Sequence, residues 1–196
     1  MDKKEILLQT ALKLFVSRGF NDTPTSKIAK EAGIATGTLF YFFPTKDDLI
    51  VSLYLRLKDL AAENINAVLS GAKSIKEMIK TYYEESLKWS LHNPNEFLFL
   101  AQFSNSTYLK KIGHNEISAH IAPVLEIFRS AIAEKLIIDI DVNLLYILIS
   151  NQVFGVNQYL VSKKASKKAQ RKIIEDTFDL FWKMIQNTEE HKEFKQ

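Results

Sequence analysis

The chain has 196 residues, of which 46% are hydrophobic and 25% charged, with a formal net charge of +3. This composition suits a soluble globular protein of one or two small domains with a sizeable core. The absence of cysteine excludes a disulfide framework and thiolate chemistry. The first residues, MDKKEILL, lack the basic-then-apolar layout of a signal peptide, so we expect a cytoplasmic protein.

Helical periodicity runs through most of the chain. Only six glycines and four prolines interrupt it, and no internal repeat or low-complexity segment stands out. Because apolar residues recur at the spacing of helices, the chain is predicted to be all-α, with about nine helices. The first predicted helix covers residues 3–18 and ends at Gly19.

Residues 25–48, TSKIAKEAGIATGTLFYFFPTKDD, have the spacing of a helix-turn-helix motif. Thr25 is a suitable N-cap for a short helix that ends at Gly33, where the chain can take a positive φ. Thr36 can cap the next helix, which must stop at Pro44 after barely two turns. Since a purely structural pair of helices has the same spacing, the spacing alone leaves that role and DNA binding equally open.

The second helix of this motif divides its residues between two faces. Leu39 and Phe43 are one turn apart and are predicted to point into the core. A short helix held rigidly by its neighbours is what the DNA major groove admits, and hydroxyl groups on it can meet base edges or phosphates. The residues left for the outer face are Thr36, Gly37, Thr38, Tyr41 and Phe42.

The net charge lies in the first quarter of the chain. Seven basic and four acidic residues occur among residues 1–46, so the whole excess falls on the predicted helix-turn-helix part, as expected for nucleic-acid binding. Lys46 then stands at the start of the fourth helix, in a pattern typical of a capping box. Backbone amides at a helix start and a lysine beside them together bind phosphate. The alternative for the charge excess is that it lies there by chance. The alternative for Lys46 is that it is solvated and binds no phosphate.

Two stretches resemble the TetR family of one-component transcriptional regulators: TALKLFVSRGFNDTPTSKIAKEAG and AGIATGTLFYFFPTKDDL. The resemblance covers residues 4–55. Ala35, Phe40 and Phe42 stand where the family usually has serine, tyrosine and histidine, which removes polar groups from the usual phosphate contacts.

The resemblance implies a helix-turn-helix DNA-binding domain, residues 1–46, and a helical effector-binding and dimerisation domain, residues 47–196. It also implies a homodimeric repressor that binds a palindromic operator in double-stranded DNA and is released by a small-molecule effector. The DNA-binding residues predicted on this basis are Thr25, Ser26, Lys27, Thr36, Gly37, Thr38, Tyr41, Phe42 and Lys46.

The second half of the chain is rich in aromatic residues. The predicted sixth helix, which contains FLFLAQF, is aromatic on too much of its circumference to be exposed. Because no charged cluster marks a site, we expect an apolar or aromatic effector. Each of the aromatic residues considered for this site could instead pack in the hydrophobic core. The predicted effector-binding residues are Trp89, Phe99, Phe103, Tyr108, Phe128 and Tyr146.

The last two predicted helices, residues 141–162 and 168–187, are apolar enough to form a surface shared with a second copy. Two asparagines and two glutamines interrupt the first of them, so we do not expect it to span a membrane. In the TetR family the two corresponding helices form a four-helix dimer interface. The lysine-rich connection between them, KKASKKAQRK, is expected to be solvated, with a second nucleic-acid contact as the alternative. The predicted interface residues are Phe154, Gln158, Ile174, Phe178, Phe181 and Trp182.

No pattern in the sequence indicates an enzyme. The four histidines lack the spacing of a metal site or a general base, and there is no Gly-rich phosphate loop. We therefore expect no catalysis, no cofactor and no metal. The alternative function is an all-α dimer whose N-terminal bundle binds a protein partner instead of DNA. The loss of polar groups at Phe40 and Phe42 favours this alternative, and the charge asymmetry opposes it.

Overall fold

A computed structural model describes residues 2–69, 71–112 and 114–188. Over these residues the predicted all-α fold is confirmed, with nine α-helices and a short 3₁₀ helix, Thr107–Lys111. The α-helices are α1 (Lys3–Arg18), α2 (Thr25–Glu31), α3 (Thr36–Phe42), α4 (Lys46–Leu69), α5 (Ile75–His92), α6 (Pro94–Ser104), α7 (His114–Ala133), α8 (Val142–Ser162) and α9 (Lys167–Ile185).

The chain forms two compact units. Unit 1 consists of Met1–Leu60 and Asn93–Ile117, and unit 2 consists of Ala61–His92 and Ser118–Gln196. The helix α4 contributes residues to both units, and α6 belongs to unit 1 although it follows α5 of unit 2. These packing units do not coincide with the predicted division after residue 46, which separates functions and stays a prediction.

An aromatic cluster fills the core of unit 1. Phe15 of α1 has no exposed surface, and its ring centroid lies 6.1 Å from that of Phe99 of α6. Tyr54 of α4 stacks on Phe103 of α6, with 4.0 Å between ring centroids. Aromatic pairs in such geometries contribute about 0.5–1.5 kcal/mol beyond the burial of their surface. The helix α6 is buried on the face that carries Phe99 and Phe103, but it is not enclosed as predicted, because Leu98 on the opposite side is 46% exposed.

Polar side chains join the helices inside unit 2. The hydroxyl of Tyr83 on α5 donates to Thr177 Oγ1 on α9 over 2.9 Å and accepts a hydrogen bond from Gln152 Nε2 on α8 over 3.3 Å. Asn157 Nδ2 on α8 donates to Ser90 Oγ on α5 over 2.7 Å. Because a buried polar group is costly without its partner, these contacts select one register of α5, α8 and α9.

The helix α8 is strongly apolar. Its 21 residues and mean hydropathy of 1.2 are enough, by length and composition alone, to cross a membrane. One such helix is weak evidence for a membrane span, because the core helix of a soluble protein has the same properties. In unit 2 the buried side of α8 packs against α5 and α9.

Candidate nucleic-acid interface

A tight turn joins α2 to α3. Gly33 has a φ of +67°, a conformation that glycine adopts without strain. The N–H of Ile34 donates to the carbonyl of Ala29 over 2.9 Å and closes the turn. These features confirm the predicted helix-turn-helix spacing.

The starts of both helices differ by one residue from the predicted caps. Pro24 and Ala35 occupy the N-cap positions, and Thr25 and Thr36 are the first helical residues. The backbone of each N-cap residue is extended, with ψ of 147° at Pro24 and 139° at Ala35, so the helix begins at the next residue. Neither helix has a side-chain hydrogen bond at its cap, which leaves their stability to packing.

The inner face of α3 anchors the helix to unit 1. Leu39 and Phe43 are buried in the same core cluster as α1 and α2, as predicted. The structure corrects the placement of Phe42, which was predicted to face outward: it is half-buried and packs against this cluster. The reason is helical geometry, because Phe42 follows Leu39 by three residues and lies on the same side of the helix.

Four residues form the outer face of α3. Thr36 and Phe40 are separated by four residues, as are Gly37 and Tyr41, so the two pairs run side by side along the exposed surface. Tyr41 is 82% exposed and Phe40 42% exposed. A Cβ added at Gly37 would meet no atom within 4 Å, so the surface beside this glycine is open. Thr38, predicted on this face, is half-buried.

Phe40 belongs to the outer face of α3, although the predicted set of outer-face residues omits it. Its hydrophobic side chain was not assigned to the outer face, although its position one turn after Thr36 places it there. That spacing was the available signal. The outer face of α3 is therefore more apolar than predicted.

The predicted contacts on α2 lie at the start of that helix. Ser26 is exposed, and Thr25 and Lys27 are half-buried. Lys27 Nζ lies 3.7 Å from a carboxylate oxygen of Glu31, one turn further along the helix. This partly exposed pair is weak, so the lysine can turn to a phosphate at little cost.

Lys46 lies at the start of α4, where Thr45 and Asp48 form the predicted capping box. The N–H of Asp48 donates to Thr45 Oγ1 over 3.1 Å, and the Asp48 carboxylate accepts from the Thr45 N–H over 2.9 Å. Lys46 Nζ is 3.5 Å from the carbonyl oxygen of Asn21 in the connection between α1 and α2. Asp47 forms an ion pair with Lys111, which leaves Lys46 as the cation at this helix start that is not paired with a carboxylate in the described part of the chain.

Comparison with known proteins shows the family. The family described as "Bacterial regulatory proteins, tetR family" matches residues 7–53. The solved structure of a tetR family transcription regulator from Shewanella sp. PV-4 is 30% identical with a TM-score of 0.88, and the match covers 95% of this chain and 99% of that one. This chain belongs to the TetR family.

Curated relatives match over shorter regions. The HTH-type transcriptional regulator YuxN of Bacillus subtilis is 40% identical over 52 residues, which are 26% of this chain and 18% of YuxN. RutR of Escherichia coli strain K12 is 31% identical over 87 residues, which are 43% of this chain and 41% of RutR. The chain thus spans less than half the length of these two relatives. Both are named as transcriptional regulators and not as enzymes.

The TetR resemblance also predicted an effector site, and the structure distributes its six residues between the two units. Phe99, Phe103 and Tyr108 lie in unit 1, where the rings of Phe99 and Tyr108 pack around Phe20 at centroid distances of 5.5 and 5.3 Å. Phe99 and Phe103 have no exposed surface. Phe99 and Phe103 therefore pack in the core, which was the alternative to a role in the effector site. That they line a pocket stays a prediction.

Trp89, Phe128 and Tyr146 lie in unit 2. The hydroxyl of Tyr146 contacts that of Tyr82 on α5. Burial raises the pKa of Tyr82 well above its ordinary value, and the neighbouring Tyr146 raises it further. Tyr82 and Tyr146 are both half-buried, and two neighbouring tyrosine hydroxyls are polar groups of the kind that orient a small ligand.

The structure also contains a cleft that the sequence did not indicate. It has a volume of about 230 Å³ and lies within unit 1, where Leu8 and Leu12 of α1 face Leu53 of α4. An ion pair between Arg56 and Glu5, with 3.7 Å between the charged atoms, lies at its rim. None of the predicted effector-binding residues lines it.

The residues of the predicted dimer interface differ in exposure within one protomer, and their role in a dimer stays a prediction. Ile174, Phe178, Phe181 and Trp182 are buried within a single chain, and Phe178 and Phe181 pack against the ring of Tyr83. Side chains already buried in one protomer have little surface left for a second. Phe154 is half-buried and Gln158 is exposed. The apolar face that periodicity predicts on α9 is thus packed against α5 within the protomer.

The two faces of α3 should respond differently to truncation. We expect Leu39→Ala to lower the free energy of unfolding by about 2–5 kcal/mol, because it leaves a cavity beneath a helix that packing alone holds. The matched change on the outer face, Tyr41→Ala, should alter it by less than about 0.5 kcal/mol. Urea denaturation followed by circular dichroism measures both. Equal losses would contradict the division of faces.

Proposed function

We propose that this TetR-family protein is a transcriptional repressor that binds a palindromic operator as a dimer and releases it when a small apolar or aromatic effector binds. The observation that carries the proposal is the geometry of α3. A helix of seven residues is held by two buried side chains, and its opposite face is open and presents Tyr41 almost fully to solvent. Such a helix fits the major groove.

Charge supports DNA as the partner of this surface. The excess of basic residues lies among residues 1–46, and none of it is on α3 itself. Ser26, Lys27 and Lys46 stand on the neighbouring helices α2 and α4. Contacts of such residues with phosphates position a protein on the duplex, whereas the helix in the groove reads the bases.

Binding should depend strongly on salt. For a duplex containing the operator, affinity should fall by orders of magnitude between about 50 and 200 mM salt, because each phosphate contact releases counterions. Lys46→Ala should weaken binding on all sequences and reduce the slope of log K against log salt by about one for each lysine lost from a phosphate contact. Lys73→Ala, at an exposed lysine of unit 2 outside the lysine-rich connection, is the control and should leave the slope unchanged. Fluorescence anisotropy titrations measure both slopes; an affinity independent of salt would rule out phosphate binding.

A substitution at Gly37 should have opposite effects on stability and on DNA binding. Gly37→Ala should raise the free energy of unfolding by up to about 1 kcal/mol, since alanine is the better helix former and its Cβ meets nothing in the chain. The same methyl group should lower operator affinity, because it stands where the backbone of α3 approaches the bases. Thermal unfolding and anisotropy titration of one protein preparation give the two results. A stabilised variant with unchanged affinity would show that Gly37 does not face DNA.

The dimer is proposed to form through exposed apolar residues of α8 and α9. On α8 Leu144, Ile147 and Leu148 recur at helical spacing on the exposed side, and Gly155 and Tyr159 continue the same stripe. On α9 the exposed apolar pair is Leu180 and Met184, one turn apart. Exposed apolar surface of this extent is typical of a protein–protein interface, and a two-fold axis presents the same surface on both copies.

A charge on this stripe should break the dimer. Ile147 is 53% exposed, so Ile147→Asp should leave the protomer folded but place a desolvated charge in the interface. We expect a monomer by analytical ultracentrifugation and a large loss of affinity for a two-half-site operator. The control is Val68→Asp on α4, where valine is 46% exposed. A dimer that persists in Ile147→Asp would place the interface elsewhere.

The effector is proposed to bind within the aromatic interior of the second half of the chain. The support is the group of tyrosine hydroxyls formed by Tyr82 and Tyr146, together with the apolar Phe128 of the same unit. The helix α4 has residues in both units, so its displacement would change the separation of the two α3 helices. Two half-sites must be met about 34 Å apart, and a coupling of about 1–3 kcal/mol per site is typical of such switches.

A further inference from the structure

The outer face of α3 lacks every side chain that reads a base through paired hydrogen bonds. The helix has the sequence TGTLFYF, with no arginine, lysine, asparagine, glutamine, aspartate or glutamate. Its exposed residues are Thr36, Gly37, Phe40 and Tyr41. The surface offered to a partner is thus made of methyl, ring and backbone groups with two hydroxyls.

The edges of the four bases in the major groove are recognised by different kinds of side chain. Guanine is read by arginine or lysine, adenine by asparagine or glutamine, and cytosine by an acidic side chain, whereas the 5-methyl group of thymine is read by apolar contact. Threonine hydroxyls bond to several bases and discriminate little. From this chemistry we infer that α3 reads its operator through thymine methyl groups, an inference that rests on the proposed DNA-binding function.

The geometry of the outer face fits this mode of reading. Phe40 lies one turn from Thr36, so an aromatic ring and a threonine methyl stand side by side on the surface. Phe40 is 42% exposed, and covering its ring with thymine methyls removes that apolar surface from water. Gly37 has open space beside it, which lets the helix approach until short apolar contacts form.

The other candidate contacts do not supply base identity. Lys27 and Lys46 lie on α2 and α4, and a lysine that meets a phosphate carries no sequence information. The exposed Tyr41 packs edge-on against Phe42 at a centroid distance of 5.3 Å, which orients its ring, and its hydroxyl is suited to a phosphate oxygen. Among the exposed side chains of α3, Thr36 and Phe40 are therefore the ones left to contact the bases.

The inference is tested on the DNA. Duplexes bound by the full chain are first selected from a random-sequence library, and the thymines of the selected half-sites are then replaced by deoxyuridine, which removes only the 5-methyl group. We expect affinity at fixed salt to fall by about fourfold for each contacted methyl group, the factor that corresponds to burying one such group. The slope of log K against log salt should not change, because the phosphates are intact. Deoxyuridine outside the half-sites is the control and should have no effect.

The protein side of the same test uses Phe40→Ala. This variant should lose affinity for the thymine duplex and lose almost none for the deoxyuridine duplex, since the ring then has no methyl partner to lose. Leu98→Ala on α6 removes an apolar side chain of similar exposure, 46%, and should leave both affinities unchanged. Equal losses on the two duplexes would show that Phe40 acts through the fold or the phosphates and would overturn the inference.

The outcomes separate this inference from the proposed function. Specific binding that is unaffected by deoxyuridine, or half-sites defined by guanine, would overturn the reading of thymine and leave the DNA-binding function intact. If no duplex is enriched in the selection, both are overturned.

Discussion

The burial of Leu39 and Phe43 beneath α3 is the constraint on which the interface depends. A seven-residue helix has too few internal hydrogen bonds to offset the entropy of its own formation, and this one has no side-chain cap at Ala35. Its stability therefore comes from the core of unit 1. Since that core is built by α1, α2, α4 and α6, four helices serve to present one short helix rigidly.

This arrangement divides the work of recognition among separate elements. Charged residues are found on α2 and at the start of α4, whereas α3 is uncharged along its whole length. The division follows from physical requirements: a phosphate is bound by a cationic side chain, whereas a methyl group is bound by an apolar surface. An uncharged helix also avoids the cost of desolvating charges in the groove.

Unit 2 has polar contacts in its interior and exposed apolar residues on its outside. Inside it, hydrogen bonds such as that between Asn157 and Ser90 hold the register of the helices. Outside it, apolar residues of α8 remain exposed on one side. The mean hydropathy of α8 reflects both faces together, which explains why its composition resembles that of a membrane helix although one face is packed in the unit.

The sequence by itself determined the local features of this protein. Periodicity and capping signals placed the first helix and the last two within a residue or two of their observed bounds, and the motif around Gly33 established the helix-turn-helix and the TetR resemblance. The burial of Leu39 and Phe43 also followed from spacing alone. Each of these depends on residues within about one or two helical turns of each other, where the geometry is set by the backbone.

Only the tertiary structure decided which elements the apolar face of each helix packs against. The rings of Phe99 and Phe103 are aromatic positions that could line a pocket, but they fill the core against α1 and α4. The apolar face of α9 could have met a second copy, but Phe178 and Phe181 pack on Tyr83 of the same chain. Periodicity identifies a face that must be buried, and hydrophobic burial has no direction, so the partner of each face is set by contacts between residues far apart in the chain.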